Sequence, residues 1–367
     1  MRKPFVLCTT LLLTCVAHAW SGGLERQAPD TRFLFQEGKY LEVSWMNVSP
    51  DLNGSGGLLD PAALGTGDIL DRYDNFRFAY KADHNDCISY GLTIDQPLGV
   101  DTNYPIRATS GYSGTTAKVD SVALSGILSF RLSPNWSGYI GGRAQTVNAA
   151  TTIPFTTSLG LGGPYRAVAD RDSGFGYLAG IAYHREEIAL RVAATYYSEI
   201  DHMHDTTETV GAVVTTSQTP ITTPQAFSLE FQSGVAEDTL VFGSVRWVDW
   251  SSFEIAPVVF QTGLGVPLVG YTDDWVMYTL GVGRKINEQW SIAVILSYEP
   301  DTDQVLTTLG PVDGRFIYGI APSYTMGNMK VTMSVNFIEL GNALNFATTR
   351  FEDGEGIAVG VRVGWQL

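Results

Sequence analysis

The chain has 367 residues, of which 44% are hydrophobic and only 17% charged, and Asp+Glu (38) outnumber Lys+Arg (23) for a net charge of −15. Charged residues make up about a quarter of an ordinary soluble domain, and a nucleic-acid binder needs a basic face for the phosphates, so a nucleic-acid partner is excluded. No apolar run in the body reaches the roughly 18 to 20 residues of a membrane helix, which leaves a soluble β protein or a β-barrel in a membrane.

At the N-terminus, Arg2 and Lys3 precede a short apolar stretch over 5–16, and Ala17-His18-Ala19 offers the small residues read by signal peptidase. Residues 1–19 therefore read as a signal peptide for export. Of the three cysteines only Cys87 remains afterwards, so an internal disulfide is not available. The next stretch, 20–37, carries Phe33, Leu34 and Phe35 beside Arg32 and reads as a plug or hatch inside a barrel formed by 38–367.

The body then alternates with a period of two, the mark of strands with unlike faces. In chain order the runs cover 39–48, 73–82, 87–95, 117–131, 135–146, 174–184 and 187–199. They continue over 224–235, 239–250, 272–285, 288–299, 314–326 and 328–339, and end with the run over 357–367. The even number, fourteen, suits a closed barrel with both ends on one side. Short polar turns alternate with long connections, and the long ones span 49–72, 96–116, 147–173, 200–223, 251–271, 300–313 and 340–355. An outer-membrane barrel sorts its loops in this way, with short periplasmic turns and long external loops.

The expected fold is thus all-β, a transmembrane antiparallel barrel of about 14 strands. Large apolar residues such as Ile292, Val294 and Leu296, or Val331, Met333 and Val335, are expected to face lipid. The opposite parity puts Glu42, Arg77, Arg143, Arg191, Glu230, Arg246 and Arg362 in the lumen, interleaved with Met46, Leu178, Phe242 and Met277. Trp136, Trp290 and Trp365 are expected at the periplasmic interface, and Trp45, Trp250 and Trp275 at the outer one. Two external connections are unusually apolar, through Phe155, Leu159 and Leu161 in 147–173 and through Val210, Val213 and Val214 in 200–223. Exposed apolar loops either pack together or bind something greasy.

Catalytic chemistry is not legible. The Gly-x-Ser-x-Gly context of a serine nucleophile is absent, Asp273-Asp274 reads as a solvated loop rim, and His202-Met-His204 is a weak metal signal. Neither an enzyme nor a cofactor is expected.

Several short segments resemble the FadL/TodX family of outer-membrane transporters for long-chain fatty acids and other hydrophobic compounds. They include Leu240-Val-Phe-Gly-Ser-Val-Arg-Trp-Val-Asp-Trp-Ser-Ser-Phe253, Asp95-Gln-Pro-Leu-Gly-Val-Asp101, Ile188-Ala-Leu-Arg191, Gly281-Val-Gly-Arg284 and the final strand from Gly360. The resemblance implies uptake of a hydrophobic small molecule in the bacterial outer membrane. Capture would fall to Phe155, Leu159, Leu161, Val210, Val213 and Val214. Luminal binding would involve Met46, Arg77, Arg143, Leu178, Arg191, Phe242 and Met277, with an arginine available to a carboxylate. Lateral release would pass a break in the third strand at Pro97 and Gly99. The partners implied are outer-membrane lipid, lipopolysaccharide and the barrel-assembly machinery, with the chain a monomer. A porin-like channel for small polar solutes is the alternative reading.

Overall fold

The computed structural model describes residues 23–106, 110–157 and 160–367; the proposed signal peptide lies outside them. The first seven barrel strands are β1 (Tyr40–Ser55), β2 (Tyr73–Asp83), β3 (Ile88–Asp95), β4 (Thr116–Arg131), β5 (Trp136–Ile153), β6 (Tyr165–Arg185) and β7 (Leu190–Tyr197). The rest are β8 (Ala226–Ala236), β9 (Thr239–Val248), β10 (Trp275–Lys285), β11 (Trp290–Glu299), β12 (Arg315–Met326), β13 (Met329–Leu340) and β14 (Arg350–Gln366). Each pairs antiparallel with the next, and β14 returns to β1 from Tyr40↔Gln366 upward, closing a 14-strand barrel. Closure is what hydrocarbon demands, because an open edge would leave a row of unpaired peptide groups in lipid.

The side-chain parity read from the sequence holds around the wall. On β11, Val294 and Leu296 are exposed while Ala293 and Ile295 are buried; on β13, Met333, Val335 and Phe337 are exposed against buried Thr332, Ser334 and Asn336. The outward set forms the apolar band, and Trp136 and Trp290 open their strands on the exposed side. Met46, Leu178, Phe242 and Met277 all point inward and are buried.

Two expectations need correction. Trp250 and Trp275 do not face the outer interface; both are fully buried. Trp250 packs edge-on against Phe253 and Tyr271, and Tyr271 in turn meets Trp275. The connection that follows β9 folds back over the barrel mouth and takes these rings with it. The second correction concerns the long connections. Residues Ile200–Val210 and Val213–Thr223 are a hairpin that continues the register of β7 and β8 outward to a turn at Gly211 and Ala212. β6 is likewise continuous from Tyr165 and pairs with that hairpin over Tyr165↔Val210 to Ala169↔Thr206. The wall on this side therefore stands taller than the membrane, and what reads as loop in composition is Thr-rich strand above the apolar band.

Inserting a charge in the lipid-facing band tests the orientation. Val294→Arg, on the outward face of β11, is expected to lower stability by about 2–4 kcal/mol in reversible denaturant unfolding from phospholipid vesicles. A loss below about 0.5 kcal/mol would place Val294 away from lipid.

Candidate functional site

The lumen is built on buried charge. Residues 23–38 run among inward-facing side chains from many strands. Glu25 accepts a two-pronged pair from Arg246 of β9, at 2.6 and 3.0 Å. Asp30 sits 2.6 Å from Arg32, 3.4 Å from Arg77 of β2 and 3.8 Å from Arg362 of β14, and Arg362 also reaches Glu42 of β1 at 3.4 Å. Arg77 Nη2 donates to the Ala28 carbonyl, and Lys81 Nζ donates to the carbonyls of Gln36 and Gly38. Phe35 lies under the Arg191 guanidinium at 4.6 Å and edge-on to Tyr139. Charges removed from water survive only when paired and hydrogen-bonded, and here the segment and the wall supply one another's partners.

This arrangement bears on the sequence-derived luminal residues. Arg77 is engaged by Asp30, Arg191 covers Phe35, and Arg143 of β5 faces Asp95 of β3 at 3.7 Å. Met46 belongs to a small apolar cluster with Ile317 and Ile338, and Phe242 to another with Leu240 and Ile295. Leu178 of β6 and Met277 of β10 are buried on separate strands. These residues are inside but do not converge on one site. Below the segment, a cavity of about 570 Å³ is lined by Leu34, Phe35, Lys81, Arg131, His184 and Arg191 among others.

A second, apolar cavity of about 40 Å³ lies at the opposite end, under the external connections. Its wall is made of small inward residues on the extended strands, Ala117 and Val119 of β4, Ala149 of β5, and Ala167 and Ala169 of β6. Leu24 and Val100 also line it, as do Ile255, Leu268 and Leu309 from the connections. Alanine at these positions leaves open the space that a larger side chain would fill. The connection that supplies Ile255, Pro257 and Leu268 also carries a short helix, Val258–Leu264, whose backbone N–H groups on Val259 and Phe260 donate to the Glu208 carboxylate at 2.9 and 3.0 Å. That carboxylate also accepts from the Tyr165 hydroxyl.

The capture residues read from the sequence surround this chamber rather than line it. Phe155 packs edge-on to Tyr112, and Leu161 abuts Gly263 of the short helix. Val210 sits in the hairpin ladder, Val213 and Val214 are exposed at the hairpin tip, and Leu159 lies outside the described residues. The lining alanines are missed by sequence reasoning because they carry no chemistry; their signal is inward parity continuing past the apolar band. His202 and His204, read from the sequence as a weak metal signal, are buried on the inner face of the hairpin. Burial pushes the His202 pKa down, and no group of three or more His, Cys, Asp or Glu among the described residues is placed to hold a metal ion.

Next to the chamber floor the barrel wall is interrupted. The β2–β3 ladder stops at Phe78↔Ile94. The chain then passes Pro97 and Gly99 and pairs again with β4 over Gly99–Asn103, with one residue more than β4 in the interval. Pro97 cannot donate to a ladder, and a Cβ on Gly99 would collide with the Arg26 side chain. The N-terminal segment takes up the freed groups: Arg26 N–H and Gln27 N–H donate to Pro97 O, and Gly99 N–H donates to Leu24 O. On the β2 side, Phe76 N–H is met by the Gln96 side chain and Asn75 donates to Arg26 O. Arg26 spans the interruption, 2.5 Å from Asp101 and stacked 4.3 Å over Tyr73.

A closed barrel with an apolar external band, a charge-braced interior and a greasy chamber at its mouth defines an outer-membrane transport barrel. The chain belongs to the OMPP1/FadL/TodX family of outer membrane transport proteins, whose family model matches residues 73–343. The fold is similar to a Pseudomonas aeruginosa FadL homologue (13% identity, TM-score 0.75, 91% of each chain covered). It also resembles the Pseudomonas putida toluene transporter TodX (12%, TM-score 0.65, 95% and 96% covered) and the Ralstonia pickettii toluene transporter TbuX (14%, TM-score 0.62, 91% and 90% covered). A search among curated proteins found no match.

The buried pairs make a direct test of the interior possible. Arg246→Ala removes both hydrogen bonds that Arg246 donates to Glu25, and breaking a buried charge pair from one side costs about 3–5 kcal/mol. The expected result is loosening of residues 23–38, read as a marked rise in single-channel openings in planar bilayers over the unaltered protein. Recordings indistinguishable from the unaltered protein would show that the pair does not hold the segment.

Proposed function

We propose that the chain takes up hydrophobic small molecules, long-chain fatty acids or smaller greasy solutes, across the bacterial outer membrane by loop capture, luminal binding and lateral release. Lipopolysaccharide sugars keep such solutes out of the outer leaflet, so an apolar surface above the membrane is the first place they can leave water. Burial there contributes about 25 cal/mol per Å² of apolar surface. The observation that carries the reading is the contact between chamber and wall break: Val100 and Leu24 line the chamber, and both adjoin the interrupted stretch at Pro97 and Gly99. A solute resting on these residues is already beside the gap between β2 and β3, which serves as the lateral gate.

The chamber of about 40 Å³ must widen to admit a solute, and the part suited to move is its roof, the connection holding Val258–Leu264. Residues 23–38 act as a plug that keeps the route apolar and sideways. Phe155, Leu161 and Val210 support the capture surface from behind, and Val213 and Val214 offer a greasy hairpin tip above it. The engagement of Arg77 and Arg191 within the interior means that a carboxylate would have to displace existing partners there, whereas a neutral solute would not. Neutral solutes therefore fit the lumen better than fatty acids do. Delivery of the chain to the membrane, through its signal peptide and the barrel-assembly machinery, accords with the alternating final strand.

Filling the chamber tests the proposal. Ala167→Trp should reduce entry of labelled toluene into outer-membrane-intact cells by about tenfold or more while the barrel still shows its heat-dependent shift on gels. Undiminished entry would contradict it. A porin-like channel would instead give steady, large conductance from the unaltered protein in planar bilayers.

A further inference from the structure

One wall of the apolar chamber carries a polar group whose hydrogen bonds are not spent. Thr206 and Thr219, on the two arms of the Ile200–Thr223 hairpin, both line it. Most of the polar side chains lining the chamber are occupied: Thr151 donates to Thr116 O, Thr206 to His204 O, Thr307 to Leu268 O, and Lys118 faces Asp101 and Asp120. Thr219 differs. Its side chain is 1% exposed and its hydroxyl has no partner.

Directly across the hairpin from Thr219 is His204, fully buried, with its Nε2 also unpartnered. The other ring nitrogen fixes what Nε2 can do. Nδ1 lies 2.7 Å from the Asp170 carbonyl oxygen. A carbonyl only accepts, so Nδ1 carries the hydrogen, and in the neutral ring Nε2 is left as an acceptor. A buried donor and a buried acceptor left open each cost free energy; Thr219 lines the greasy chamber and His204 adjoins it across the hairpin ladder, so the two form a matched couple.

We infer that the chamber selects hydrophobic solutes carrying a single hydroxyl group, an alcohol or a phenol, over the parent hydrocarbon. The solute oxygen accepts from the Thr219 hydroxyl and its O–H donates to His204 Nε2, while the carbon skeleton lies against Ala117, Ala167 and Ala169. A hydroxyl is the smallest group that both accepts and donates, as the couple requires. A carboxylate could only accept and would meet the Nε2 lone pair, so the same couple disfavours anionic solutes. This inference rests on the proposal that the chamber holds the transported molecule, and it adds which molecules the chamber prefers.

Toluene and p-cresol share one carbon skeleton and differ by the hydroxyl, so equilibrium binding of both to the full-length protein in detergent reads the preference. One net hydrogen bond is worth about 1 kcal/mol or somewhat more, and p-cresol is expected to bind about tenfold more tightly than toluene. Thr219→Val, which keeps the shape and removes one of the two hydrogen bonds, should lower the ratio of the two affinities severalfold, and Thr219→Ser should restore it. Equal affinities in the unaltered protein, or a ratio that Thr219→Val leaves intact, would overturn the hydroxyl preference alone. If neither compound binds the unaltered protein, the chamber is not the solute site and the proposed transport route fails with it.

Discussion

Hydrocarbon offers no hydrogen bonds, and this one fact organises the molecule. Each peptide group in the band must find its partner within the chain, so fourteen strands close at the β14–β1 seam. Any interruption in the wall must then be satisfied from inside. Between β2 and β3 it is. Leu24, Arg26 and Gln27 meet the backbone groups of Pro97 and Gly99, and the side chains of Gln96 and Asn75 complete the set. The N-terminal segment is therefore part of the wall's hydrogen bonding as well as an occupant of the lumen. The segment and the interrupted stretch of wall hold these bonds in common.

The same logic governs charge. The carboxylates and guanidinium groups buried around residues 23–38 occur as linked partners, with Asp30 beside Arg32, Arg77 and Arg362, and Glu25 on Arg246. Such groups add little net stability compared with apolar packing, but they hold the segment in one register. Above this polar layer the inward positions turn to alanine and valine, and the chamber appears where side chains shrink. Polar bracing below and small apolar residues above give the interior two unlike halves.

Much of this was legible in the sequence, because a period of two carries one bit per residue and the bilayer enforces it strictly. The parity of Val294 against Ile295, or of Met333 against Ser334, follows directly, as does the interior placement of Arg246 and Arg362. What the period could not reveal is where strands stop being membrane. The Ile200–Thr223 hairpin continues the β7 and β8 ladders, yet its Thr-rich composition reads as loop because no lipid selects an apolar outer face there. Trp250 and Trp275 read as interface residues by position, but the connection after β9 folds inward and buries them. The chamber depends on five or so strands and three connections meeting in space, and alanines give no local signal of such a meeting. The break at Pro97 and Gly99, by contrast, is visible because both residues are unsuited to a ladder.

On the proposed route, a solute leaves the chamber through the wall between β2 and β3. Phe76 and Gln96 face each other across that gap, joined by the Phe76 N–H bond to the Gln96 side chain at 2.9 Å. Cysteines at both positions, in a Cys87→Ser background, allow the gap to be stapled by oxidation or by a short bis-maleimide. Entry of labelled toluene into intact cells, measured before and after stapling, is the direct readout. The staple is expected to abolish entry, and a reductant to restore it for the disulfide; entry at an unchanged rate through the stapled barrel would mean that the solute leaves by another path.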